Sequence, residues 1–109
     1  MKKIFLILFV VALILAGCGG QGHGKYYKQV SPEVGEILSD AHETIQLHMD
    51  GKMGDYEAET RLTSMSEKLD GMELNGVEDS AKTYIDLAVL EVGSGETAID
   101  YLHDLEDYL

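Results

Sequence analysis

Carboxylates and imidazoles recur in this chain at spacings that could hold a cation. Asp100, His103, Asp104 and Asp107 stand at i, i+3, i+4 and i+7, which is one face of a helix. Metal sites in helical bundles, however, draw ligands inward from several helices, and no second segment offers a matching motif. The four residues also belong to a polar stripe, so the expectation is a solvated acidic face with no bound metal. His42, His48, Met49 and Met53 supply imidazole and thioether, donors that suit copper. His42 and His48 are six apart and leave a helix in different directions, while methionine is an ordinary core filler. No metal is expected there either. An EF-hand counted from Asp50 fails, because Lys52, Gly54, Asp55 and Arg61 occupy its third, fifth, sixth and twelfth positions.

Catalytic chemistry has less to work with. There is no G-x-S-x-G, no H-E-x-x-H and no phosphate-cradling loop. No serine and histidine are set in sequence with a recognisable orienting partner. A non-enzyme without a cofactor is therefore expected. The chain has one thiol, Cys18, and it lies between an apolar run and a cluster of glycines.

That position is informative. Lys2 and Lys3 precede an unbroken apolar run of 13 residues, Ile4 to Ala16. The plan is that of a secretory signal peptide, and the run is short of the roughly 20 residues a membrane-spanning helix needs. It ends Leu15-Ala16-Gly17-Cys18, which closely resembles the lipobox of bacterial lipoproteins. The resemblance covers residues 1–18 only. It implies that Leu15, Ala16 and Gly17 are read by signal peptidase II and that Cys18 receives a diacylglyceryl group and becomes the first mature residue. Two acyl chains anchor a protein stably where one does so marginally. A thioether-linked Cys18 leaves the mature chain without a thiol for disulfides, metals or nucleophilic catalysis.

Removal of residues 1–17 leaves 92 of the 109 residues, one small domain, and takes both phenylalanines with it. All 20 acidic residues remain against six lysines and arginines, a side-chain charge of −14. Nucleic acid is excluded as a partner, because phosphate contacts require a cationic surface. An anionic lipid surface would repel so acidic a domain as a whole.

The elements that must position these residues follow from caps and periodicity. Gly19 to Val30, with four glycines in its first six positions, reads as a flexible tether. Its Lys25-Tyr26-Tyr27-Lys28 stretch suits either the membrane interface or a lead into the first helix. Ser31 caps that helix, with Pro32 at its first position and Val34, Ile37, Leu38, Ala41, Ile45, His48 and Met49 at helical spacing. Gly51 and Gly54 end it. Asp55 caps a second helix to about Asp70, cored by Ala58, Leu62, Met65 and Leu69, with Gly71 as the stop.

The last segment, from about Glu78, contains Gly93 and Gly95, each costing a helix interior roughly 1 kcal/mol relative to alanine. Its polar stripe nevertheless keeps a spacing of seven through Asp79, Asp86, Gly93, Asp100 and Asp107. An apolar stripe of Ala81, Ile85, Ala88, Val92, Gly95, Ile99 and Leu102 runs opposite. The preserved phase predicts one long helix, with Gly95 packed against a neighbour. The expected fold is thus all-α: an antiparallel three-helix bundle with a long C-terminal helix, or four helices if the chain breaks at 93–95. The expected organisation is a signal peptide at 1–17, the lipidated cysteine and tether at 18–30, and an acidic helical domain at 31–109. The expected function is that of a lipid-anchored, noncatalytic lipoprotein on the extracytoplasmic face of a bacterial membrane. It would work by contact with another envelope protein; weak metal or cation binding is the alternative.

Overall fold

The computed structural model describes residues 23–109, and every regular element among them is helical. A short 3-10 turn at Tyr27–Gln29 leads into α1 (Pro32–Met49). Then follow α2 (Asp55–Asp70), α3 (Gly76–Gly93) and α4 (Ile99–Glu106). Among the described residues no helix is long and apolar enough to cross a membrane.

The first two helices begin and end where local chemistry dictates. Ser31 Oγ accepts from the Val34 N–H at 3.4 Å and Pro32 opens the helix. At the other end the N–H of Lys52 reaches Leu47 O and that of Gly51 reaches His48 O, the paired bonds of a Schellman closure. α2 has Gly54 rather than Asp55 at its N-cap. Asp55 is the first helical residue, and its carboxylate is turned to His48 instead of its own backbone.

α2 and α3 form the tightest antiparallel pair, with α1 against α2 and α4 folded back onto α1 and α3. The core is aliphatic, with Leu38, Ile45, Leu62, Leu69, Ile85 and Leu105 all fully buried. Each such side chain contributes about 1.5–3 kcal/mol on burial. Along the α2–α3 seam Lys82 Nζ bridges Asp70 (3.0 Å) and Asp86 (2.9 Å), and Asp86 also accepts from Ser66 Oγ. The hydrogen bonds to Asp86 and Asp70 raise the Lys82 pKa. Ser66 takes the buried place expected for Met65, which is half-buried.

The expected continuous C-terminal helix does not form. α3 stops at Gly93, Ser94 is the C-cap, and Gly95 adopts φ = 82°. The Gly95 N–H bonds Val92 O and the Glu96 N–H bonds Glu91 O, both at 3.0 Å, a second Schellman closure. The apolar phase breaks beyond it. Ala98 takes the buried place expected of Ile99, Leu102 is buried as expected and Leu105 and Tyr108 follow, whereas Gly95 and Ile99 are exposed. Gly95 therefore packs against no helix; its nearest outside neighbour is the Asp55 carboxylate. The four-helix alternative is the fold, because a straight helix would have carried Leu102, Leu105 and Tyr108 past the ends of α1 and α2. Folding back buries them.

At the opposite end one carboxylate joins two helix starts. Glu78 Oε1 accepts from the N–H of Asn75, the N-cap of α3, at 3.0 Å, and Asn75 Oδ1 accepts from the Glu78 N–H at 2.8 Å. This is a capping box. Glu78 Oε2 also accepts from the N–H of Ser31, the N-cap of α1, at 2.8 Å. Burial pushes the Glu78 carboxyl up, but the backbone bonds from Ser31 and Asn75 outweigh it and hold the pKa below the ordinary value.

Two predictions follow from these ends. Gly93 is helical, and a methyl there meets only the movable end of the Glu59 side chain, so Gly93→Ala should stabilise by up to about 1 kcal/mol. Gly95→Ala, forced to hold a positive φ, should cost about 1–2 kcal/mol; thermal melts of the two variants should shift in opposite directions. A carboxyl whose folded pKa is lowered stabilises above its unfolded pKa, and that contribution fades as pH falls through the folded value. Glu78→Gln, which keeps one acceptor of two, should lose about 1–2 kcal/mol at neutral pH. It should also show a weaker acid dependence of the melting midpoint than the wild type across the carboxylate range.

Candidate functional site

Residues expected to be tether are, from His23 onward, part of the folded body. The Tyr26 N–H donates to Asp107 O at 2.6 Å, and the Tyr26 ring lies 5.1 Å from that of Tyr108. Tyr108 in turn meets Tyr84 of α3 at 6.1 Å. Burial among these rings, with the two neighbouring phenols adding to it, pushes the Tyr108 hydroxyl up to about 12. Gln29 O accepts from Asn75 Nδ2 at 2.8 Å, and His23 Nδ1 sits 3.0 Å from Leu109 O. The strap at 23–30 thus binds the start of α3 and the end of the chain in one place. Gly24 permits it, since a Cβ at that position would collide with the backbone of Glu106 and Asp107.

The outer side of this strap is a candidate surface. His23 and Tyr27 stack at 3.6 Å, and Tyr27 is 43% exposed. Lys25 Nζ hangs 5.2 Å from the centre of the Tyr26 ring, and no carboxylate among the described residues pairs with Lys25 or Lys28. A groove of about 550 Å³ opens beside them, with Tyr27, Val30, Pro32, Tyr108 and Leu109 on its apolar side and Lys28 and Glu36 as its charged residues. Its character is largely apolar, with one charge of each sign at its edge.

The far end of the bundle has a different chemistry. Tyr56 in the first turn of α2, Leu90 in the last turn of α3 and Ile99 at the start of α4 are 80%, 67% and 43% exposed. The turns that carry them meet at this end, where Asp55 lies beside Gly95 and Glu59 beside Gly93. Carboxylates surround the apolar residues. A hydrogen bond to Glu96, with the added charge of Glu96 and Asp100, raises the pKa of Glu91. Exposed apolar residues rimmed by polar ones mark a surface that contacts other molecules more readily than a bare polar face.

The residues read as possible metal ligands do not assemble. His48 is buried, its Nε2 donates to Asp55 Oδ1 at 2.6 Å, and its Nδ1 has no partner among the described residues. Met53 is buried in the core and Met49 half-buried. His42 faces elsewhere, with Nε2 3.0 Å from Glu106 Oε2. On α4, Asp100 and His103 are exposed, Asp104 is half-buried, and Asp107 lies just past the helix as its C-cap. Glu106, which sequence spacing had not singled out, sits between His42 and His103, and the hydrogen bonds from both imidazoles lower its pKa. No sequence signal joins positions 42 and 106. Among the described residues no group of three or more histidines, cysteines and acids is arranged to hold a metal ion. Leu15, Ala16, Gly17 and Cys18 lie outside the described residues. No family model, characterised protein or solved structure matches this chain.

The strap makes its own prediction. Gly24→Ala should destabilise the domain by about 1–3 kcal/mol, because the added carbon meets backbone that cannot swing aside. Amide exchange should show residues 24–30 and 107–109 loosened together in that variant, with the α2–α3 pair still protected.

Proposed function

We propose that the protein is a lipid-anchored, noncatalytic lipoprotein held on the extracytoplasmic face of a bacterial membrane, acting by contact with another envelope component. The observation that carries this reading is the sequence Leu15-Ala16-Gly17-Cys18 at the end of a 13-residue apolar run preceded by two lysines. Charge, run length, tetrapeptide and cysteine agree with one another. The acidic, all-helical domain supports the rest of the reading. Its exposed Tyr56, Leu90 and Ile99 stand at the end opposite His23, where the chain enters the folded body. That end is free to meet a partner when the other is tied down. Its carboxylate ring suits a partner whose contact surface is apolar and bordered by lysine or arginine.

Metabolic labelling with a palmitate analogue tests the anchor. The wild-type chain should be tagged and sediment with membranes, whereas Cys18→Ser should be untagged. Equal labelling of the two would end the reading.

A further inference from the structure

We propose that the strap surface, Lys25, Tyr27 and Lys28 with the groove beside them, docks onto the headgroup layer of the bilayer that holds the anchor, so that the bundle stands with Tyr56 facing outward. The inference rests on the lipidation of Cys18 and adds to it an orientation and a contact surface.

Length sets the first constraint. Only Gly19, Gly20, Gln21 and Gly22 separate Cys18 from His23, where the chain is already bound to Leu109. Fully extended, that connection spans at most about 18 Å. Had the chain been free to Val30, the domain could have drifted several nanometres and turned at will. With the strap packed down by Tyr26, Gly24 and Gln29, the domain stays within that short reach of the surface and the strap end is what the leash brings closest.

Charge sets the second. Residues 23–30 contain two lysines and no acid, and all 20 acidic residues lie beyond them. Neither lysine is neutralised by a carboxylate among the described residues; Arg61 and Lys82 are, and the other unpaired lysines, Lys52 and Lys68, each stand alone between acidic residues, Asp50 and Asp55 or Glu67 and Asp70. An anionic headgroup surface therefore attracts one end of the bundle and repels the remainder, which turns the molecule strap-down. Tyr27 and the groove then lie at the interfacial depth that tyrosine favours. α1 has 18 residues and holds the other end about 27 Å further from the surface.

The chain has no tryptophan, so single substitutions make clean depth reporters. Full-length lipidated protein carrying Tyr27→Trp or Tyr56→Trp would be reconstituted into vesicles of phosphatidylethanolamine and phosphatidylglycerol, with bromine on the lipid tails near the headgroup. The expected result is flotation of both variants, several-fold stronger quenching of the indole at position 27 than at 56, and loss of that difference on adding Lys25→Glu and Lys28→Glu. Amide exchange on the wild type is a second readout free of substitution at the surface: residues 24–30 should slow in vesicles relative to the Cys18→Ser chain in solution. Flotation with equal quenching at both positions, or with none at 27, would overturn the docking and leave the anchor standing. Failure to float would overturn the anchor and the docking with it. Unchanged quenching in the lysine double variant would overturn the role given to the two charges.

Discussion

One side chain sets the geometry of the lower half of the molecule. Glu78 accepts backbone hydrogen bonds from the N-caps of both α1 and α3, so two helices that are 44 residues apart in sequence begin at a shared anion. Each helix start leaves orphan N–H groups and a partial positive charge, and a single buried carboxylate answers both. Burial alone would have favoured the protonated acid; the donors reverse that and keep it charged. The neighbouring Asn75 completes the capping box and also reaches Gln29, which carries the same junction into the strap.

The strap then fixes where the chain enters the bundle. Tyr26, Tyr84 and Tyr108 close over one another, and the backbone at Gly24 lies against the chain end. Residues 23–109 contain neither phenylalanine nor tryptophan, so these rings are the largest apolar bodies available there. The same contacts that stabilise the domain bring residues 23–30, expected from the sequence to be tether, into the folded body. The consequence is a two-ended molecule, with lysines and an apolar groove near the entry of the chain and exposed apolar residues among carboxylates at the other end.

The histidines illustrate how a ligand inventory differs from a site. His42 and His48 share a helix but serve separate carboxylates, Glu106 and Asp55, and each ties α1 to a different element. His48 joins α1 to the start of α2 across the Gly51 turn, while His42 holds the folded-back α4. Their chemistry in this fold is that of positioning neighbouring helices. Glu106, between two imidazoles, is lowered by both, and so favours its charged form at the contact between α1 and α4.

The sequence by itself determined the features whose causes are local. The caps at Ser31 and Gly51, the stop at Gly71, the core faces of α1 and α2 and the all-helical class all arise from interactions within a few residues. The lipobox-like tetrapeptide is likewise legible without a fold. Tertiary structure decided the rest. The sevenfold spacing from Asp79 to Asp107 fits one straight helix as well as two antiparallel ones, since each has a polar outer stripe. What separates them is burial: only the reversed α4 gives Leu102, Leu105 and Tyr108 something to cover, and Gly95 supplies the positive φ that the reversal needs. Glycine spacing alone suggested a tether up to Val30, because flexibility is a property of the isolated chain. Packing of Tyr26 against Tyr108 overrides it, and no pattern within residues 23–30 could show that the C-terminus lay waiting beside them.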